Sequence, residues 1–270
     1  MARNEPIGDL VDRLELPFNS LGIDPYGVSK KHLAVFFTVL GVLYRRYFRV
    51  RAEGIHHVPQ RGRAMLVGNH SGGYALDGAM VIASMLFEME PPRLAQGMAE
   101  KFINAMPIGS TWSSRTGQLT GLPEHAERLL LDDRLLMVFP EGARGTAKLY
   151  KDRFSLVDFG TGFMRLALKT KTPIVPHGFV GGGDAVPVIY NSKLLGKLLG
   201  VPYVPFTPYG LAAPLPVNFE VHYGEPMRFE GTGDEDDSVI KGYVDQVKAR
   251  IAELIAQARS RRALRGGGAS

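Results

Sequence analysis

The sequence predicts an α/β fold: a mixed, mostly parallel central sheet flanked by helices, entered through an amphipathic basic helix. Two observations carry this. Short β-rich runs alternate with helical stretches from residue 48 to residue 262, the pattern of a layered α/β domain. The composition agrees, since 45% of the 270 residues are hydrophobic and 22% charged, enough apolar surface for one substantial core.

Residues 1–27 are polar with Pro and Gly and read as an extended or loosely packed lead-in. Residues 28–49 read as a helix with Ser29 as N-cap. Its apolar centre is flanked by Lys30, Lys31, Arg45, Arg46 and Arg49, and from Lys30 to Arg51 there are six Lys/Arg and no acid. With Phe36, Phe37, Tyr44, Tyr47 and Phe48 it has the make-up of an interfacial anchor. A core helix with a solvated basic end has the same pattern. The charge-free run is about 12 residues where a spanning helix needs roughly 20, so no segment is expected to cross a bilayer. With no apolar stretch at the N-terminus, no secretory signal is expected.

Strands are predicted at 48–54, 64–68, 94–99, 135–139, 174–179 and 218–223, and helices at 77–88, 123–132, 160–170 and 237–262. The last helix carries Tyr243, Val244, Val247, Ile251, Leu254 and Ile255 at helical spacing, a core-facing stripe. Residues 194–216 are apolar and aromatic but broken by prolines and glycines, which excludes one regular helix or a central strand. This segment reads as a substrate-tunnel wall, a membrane contact or a connection packed on the core. The expected divisions are a lead-in with a membrane-associating helix over 1–47, the main domain over 48–262 and a disordered tail over 263–270.

The net charge is +5 and the pI about 9.4, which favours phosphate-rich partners: an anionic membrane, a phosphorylated substrate or nucleic acid. Basic residues cluster beside apolar runs and not among exposed aromatics, which argues against nucleic acid. The chain has no cysteine, so disulfides, thiolate catalysis and cysteine zinc sites are excluded.

The chemistry is concentrated in two places. LVGNHSGGYALDGAMV, residues 66–81, reads as a buried strand, a glycine turn and a helix starting near Asp77. His70 sits at the strand end, where catalytic groups are well placed in such sheets. Gly72 and Gly73 let the chain fold back so that the Asp77 carboxylate can meet the imidazole. A His–carboxylate pair suits general base catalysis, the carboxylate setting the tautomer and stabilising the charged ring. Read alone, the same residues also fit a helix-capping Asp77 and a His70 satisfied by a loop carbonyl. The second place is MVFPEGARGTAKLYKDRF, residues 137–154, an apolar strand running into Glu141, Gly142 and Arg144. An arginine there suits bidentate phosphate binding, and a solvated basic loop is its bland equivalent.

GNHS with His70 and Asp77, together with Phe139-Pro140-Glu141-Gly142-Ala143-Arg144, resembles the lysophospholipid/glycerolipid acyltransferase superfamily, especially its monoacylglycerol-acyltransferase-like branch with bacterial members. The resemblance implies the glycerolipid acyltransferase fold and transfer of a fatty acyl group from acyl-CoA or acyl carrier protein to a glycerolipid or lysophospholipid hydroxyl. It implies His70 as general base and Asp77 as its orienting carboxylate. It gives Arg115, in the block 109–115, a phosphate or headgroup contact, and places Glu141, Gly142 and Arg144 in substrate binding. Residues 172–176 resemble the fourth block, a buried strand lining the acyl site, and 223–226 the end of such domains. The match runs over roughly residues 48–230. One departure stands out: the spacing here is His-X6-Asp where the family has His-X4-Asp.

The weaker signals add little. Ser71 lacks the Gly-X-Ser-X-Gly elbow of a serine hydrolase. His56 and His57 lack helical ligand spacing with His70, so no metal is expected. His177 on the 174–179 strand reads either as approaching the site or as a core histidine with its hydrogen bonds satisfied. No cofactor is expected beyond the acyl-CoA or acyl-ACP co-substrate. The expected partners are an anionic membrane surface and a lipid acceptor, and the expected location is peripheral, on the cytoplasmic face. Transfer to a non-glycerolipid acceptor, and a catalytically silent lipid-binding protein of the same fold, remain open alternatives.

Overall fold

A computed structural model describes residues 5–72, 76–99, 109–120, 122–210 and 214–266. Its centre is a seven-stranded sheet among the described residues: β1 (Arg51–Glu53), β2 (Ala64–Gly68), β3 (Ala95–Ala99), β4 (Leu119–Thr120), β5 (Leu135–Val138), β6 (Ile174–Val180) and β9 (Glu220–Tyr223). The order is β1-β9-β6-β2-β5-β3-β4, and β6 with β9 is the one antiparallel pairing within it. The remaining strands, β7 (Tyr190–Ser192) and β8 (Val204–Phe206), form a separate antiparallel pair.

The central strands are apolar on both faces, as strands covered on both sides must be. Along β2, Leu66 packs into one core and Met65 and Val67 into the other. The first core is closed by α1 (Ile7–Asp12), α2 (Lys30–Val42) and α3 (Leu76–Glu88), through residues such as Leu10, Phe37, Met80 and Phe87. The second is closed by α5 (Pro123–Leu131), α7 (Gly162–Lys169) and α10 (Asp237–Gly266), through Leu129, Phe163, Val247 and Ile251. The short helices α4 (Gly109–Arg115), α6 (Ala143–Thr146), α8 (Gly182–Ala185) and α9 (Lys193–Leu199) sit in the connections.

The expected strands and long helices are all present, with ends shifted by a few residues. The lead-in differs. Where the sequence predicts a loose segment, α1 forms and Leu10, Val11 and Leu14 are buried in the first core, because Ile7, Leu10, Val11 and Leu14 follow helical spacing. The basic helix stays α-helical to Val42 and continues as a π-type turn over Leu43–Tyr47. One side, with Leu33, Phe37, Leu40 and Tyr44, belongs to the core, while Val35, Val39 and Val42 are exposed. At the other end α10 extends to Gly266, into the expected disordered tail. The segment 194–216 contains α9 and β8, so it is irregular without being structureless.

Candidate active site

The site lies at the C-terminal ends of β2, β5 and β6, the edge at which open α/β sheets place their ligands. Two contacts force β2 to deliver His70 there. Gly68 closes the strand, and a Cβ on it would come within 2.2 Å of His177 Nε2. Asn69, buried, then pairs with β6 through its side chain: its Nδ2 donates to the Phe179 carbonyl at 3.0 Å and its Oδ1 accepts the Phe179 N–H at 2.7 Å. A side-chain amide thus continues the strand ladder one residue beyond the strand.

His70 Nδ1–H donates to Asp77 Oδ2 at 2.7 Å. Asp77 is fully buried in the first turn of α3. Its carboxylate also accepts the Ser71 N–H at 2.6 Å and the Gly78 N–H at 2.8 Å, the donors that a buried carboxylate needs. The His-X6-Asp spacing therefore still brings the carboxylate to the imidazole. Gly72, at φ +90°, passes so close to the 181–182 loop that a Cβ would meet Gly182 Cα at 2.9 Å. Gly73 lies outside the described residues. The His70 ring stacks on Phe139, with centroids 4.3 Å apart and planes at 11°. With Nδ1 held by Asp77, Nε2 is the nitrogen left to exchange a proton, and the side chain retains 13% exposure.

The Phe139–Arg144 segment wraps the other side of His70. Gly142 takes φ +55°, ψ −152°, a region open essentially to glycine, and its N–H closes the turn onto the Phe139 carbonyl at 2.9 Å. Glu141, expected among the substrate-binding residues, points inward and is buried. Its carboxylate accepts the His70 backbone N–H at 2.7 Å, the Val157 N–H at 2.7 Å and Lys148 Nζ at 3.0 Å to each oxygen. Lys148 is itself buried and donates to the Ser155 carbonyl at 3.0 Å. This is a satisfied buried ion pair that fixes the backbone of His70. Gly145 allows the close approach, since a Cβ there would lie 2.7 Å from His70 Cβ and 2.8 Å from Glu141 Cβ.

The two arginines are placed differently. Arg144 is exposed on α6, three residues from Glu141, and donates to the Asp158 carbonyl at 3.0 Å. Arg115 ends α4 and donates to the Gly27 carbonyl at 3.2 Å, while its own carbonyl accepts the Ser29 N–H at 3.0 Å. That ties the second block to the start of α2. No hydrogen bond among the described residues joins Arg115 to the network of His70, Asp77 and Glu141.

His177 is in the core, but it is not satisfied. It is fully buried, wedged against Gly68 and between Phe139 and Tyr223, and neither ring nitrogen has a hydrogen-bond partner among the described residues. Burial pushes its pKa down to about 4, against a smaller upward pull from the Asp77 charge. The motifs contain Asn69 and Phe139 but give them no role, and Gly145 and Lys148 carry no signal in the sequence that marks them as part of the site. Lys148, seven residues after Glu141 in a basic run, carries no pattern that separates it from solvated neighbours.

Comparison with known proteins gives four findings. Residues 49–180 match the family model Acyltransferase. An uncharacterized protein of Mycobacterium tuberculosis is 32% identical over 247 residues, covering 88% of this chain and 68% of that protein. Human 1-acyl-sn-glycerol-3-phosphate acyltransferase alpha is 29% identical over 148 residues, 51% of this chain and 48% of the human one. In fold, the chain is similar to the crystal structure of the 1-acyl-sn-glycerophosphate acyltransferase PlsC from Thermotoga maritima. The TM-score is 0.54 at 18% identity, over 83% of this chain and 81% of that one.

Proposed function

The chain belongs to the glycerolipid acyltransferase superfamily, and on that premise we propose that it moves a fatty acyl group from an acyl thioester to a hydroxyl of a glycerolipid or lysophospholipid. The observation that carries this reading is the 2.7 Å contact between His70 Nδ1 and the fully buried Asp77 carboxylate. In the reaction the acceptor hydroxyl gives its proton to His70 Nε2 as its oxygen attacks the thioester carbonyl carbon. The C–S bond then breaks, and the departing sulfur takes the proton back from the imidazolium. Asp77 holds the productive tautomer and stabilises the charged ring; Glu141, with Lys148, acts as a positioning residue on the His70 backbone. The transfer is direct, since the chain has no cysteine and Ser71 sits in no nucleophile elbow.

Arg144, and with it Arg115, supplies charge for phosphate on the acceptor or on coenzyme A or acyl carrier protein as donor. The human relative is a 1-acyl-sn-glycerol-3-phosphate acyltransferase, which supports a phosphate-bearing acceptor. Among the described residues no helix is long and apolar enough to cross a membrane. The exposed Val35, Val39 and Val42 of α2, with Lys31 and Arg46 also exposed, support peripheral association with an anionic membrane, at its cytoplasmic face.

The test is acyl transfer from radiolabelled acyl-CoA and acyl-ACP to a panel of acceptors. His70→Ala is expected to lower the rate by roughly 10²–10⁴-fold, the usual worth of a general base, with an unchanged fold by circular dichroism. A His70→Ala protein that keeps most of its activity overturns the mechanism. No product with any acceptor, together with vesicle binding, identifies a silent lipid-binding module instead.

A further inference from the structure

Helix α9 is inside out for a helix facing water. Leu194 is 80% exposed, Leu198 79%, Leu199 66% and Leu195 37%. Its inward residue is Gly196, packed so tightly that a Cβ would meet Tyr203 Cα at 2.6 Å. A water-facing amphipathic helix turns its leucines in and its small or polar residues out; α9 does the reverse. Ile189, Tyr190 and Tyr209 on its flanks are also exposed. The helix is held in this orientation, capped by Ser192 Oγ on the Leu195 N–H at 3.3 Å and carried by the β7–β8 pair.

The charge around this patch is one-sided. No acidic residue occurs from 185 to 219, and the basic residues there are Lys193 and Lys197, one helical turn apart. Neither lysine has an ion-pair partner among the described residues. The hairpin is also fastened to the active site. Asn191 Nδ2 donates to the Ala147 carbonyl at 2.6 Å, the Tyr150 N–H donates to the Val188 carbonyl at 2.7 Å, and the Tyr203 hydroxyl donates to Thr146. Thr146 and Ala147 follow directly on Gly145, which lies against His70. Tyr47, at the end of the basic helix, donates to the Pro214 carbonyl just beyond the hairpin at 2.6 Å.

We propose that the β7–α9–β8 hairpin is a docking device for an anionic phospholipid surface, with its four leucines inserted among the acyl chains and Lys193 and Lys197 on the headgroups. The combination of exposed leucines with lysines and no acid matches an interfacial helix. It does not match a face for a second copy of the chain. Seven residues cover only part of the roughly 800 Å² per partner of a stable interface, and two such lysine pairs would repel. Because the hairpin is bonded to the residues around Gly145, docking would set the active site against the lipid surface. The inference rests on the proposed acyl-transfer reading only in taking a lipid as substrate.

The chain is free of cysteine, so Leu198→Cys provides a unique attachment point for an environment-sensitive fluorophore. With phosphatidylcholine–phosphatidylglycerol vesicles the label is expected to shift to the blue and to be quenched by brominated acyl chains. Leu194→Ser/Leu198→Ser is expected to lower vesicle partitioning at least about tenfold, from the apolar area withdrawn, with an unchanged melting curve. Lys193→Ser/Lys197→Ser should weaken, without abolishing, the preference for phosphatidylglycerol over pure phosphatidylcholine, since Lys31 and Arg46 remain exposed; an unchanged preference would count against the two lysines as headgroup contacts. Vesicle-bound protein with its label still in water, or a double-leucine variant that partitions like wild type, overturns the inference. A blue shift without vesicles that tracks dimerisation by light scattering also overturns it, in favour of a second copy. Label insertion in a protein that transfers no acyl group would refute the proposed function and leave the docking device standing.

Discussion

Adding one methyl group at Gly145 tests whether the close packing of α6 on His70 fixes the ring for the proposed base role. In Gly145→Ala the new carbon would lie 2.7 Å from His70 Cβ and 2.8 Å from Glu141 Cβ. Carbon atoms in contact rest about 3.5–4.0 Å apart, so roughly 1 Å must be made up. Both clashing atoms sit next to the backbone and cannot swing aside as a side-chain tip would. His70 is pinned on three sides: its N–H on Glu141 at 2.7 Å, its Nδ1 on Asp77 at 2.7 Å, and its ring on Phe139 at 4.3 Å. A shift of about 1 Å carries either 2.7 Å bond beyond hydrogen-bond range. Misplacement on that scale costs on the order of 10²-fold in rate. The cost to stability is smaller, since overpacking takes about 1–3 kcal/mol while replacing a helical glycine by alanine returns about 0.5–1 kcal/mol. The variant should therefore melt within a few degrees of wild type yet turn over about a hundredfold more slowly. Single-turnover acyl transfer and thermal unfolding on the same preparation read both quantities. Gly242→Ala is the control, because a Cβ there meets nothing within 4 Å; it should leave the rate unchanged. A Gly145→Ala enzyme with wild-type turnover refutes the argument that this contact sets His70.

Two further predictions concern buried charge. Glu141→Ala leaves Lys148 buried without its carboxylate and should cost about 3–5 kcal/mol. Adding Lys148→Met should recover part of that in a denaturant double-mutant cycle, and strictly additive losses would contradict the pairing. His177 has a pKa of about 4 in the folded chain against 6.5 as its ordinary value. Between those pH values the unfolded chain holds a proton that the folded chain does not, so stability falls as pH drops through this window, by up to about 3 kcal/mol, and is unaffected at neutral pH. Urea unfolding across this range should show the slope in wild type and a shallower one in His177→Leu; equal slopes would rule out His177 as the source.

Several features were legible in the sequence because they are local. The strands of a sheet covered on both faces must be unbroken apolar runs, so 64–68 and 135–138 are visible without neighbours. The glycine turn after His70 and the block around Glu141, Gly142 and Arg144 are equally local, and the fold brings these two loops into contact. Short amphipathic pieces were less visible: α1 spans only Ile7–Asp12, too few turns for its spacing to stand out among prolines and glycines.

What the residues alone determined, then, was the layered fold and two loops, one with His70 and one with Glu141, that lie against each other in it. Tertiary structure decided the rest. That Asp77 closes on His70 across a longer spacing depends on Gly72 finding room against Gly182, a residue far away in sequence. That Glu141 braces the His70 backbone instead of facing solvent depends on Lys148 and Val157 arriving beside it. The outward turn of the α9 leucines depends on Gly196 meeting Tyr203. In each case the deciding quantity is whether a distant group occupies or leaves free a few ångströms of space. Composition and periodicity record which residues are apolar or charged, but only close packing in three dimensions records which of them face one another.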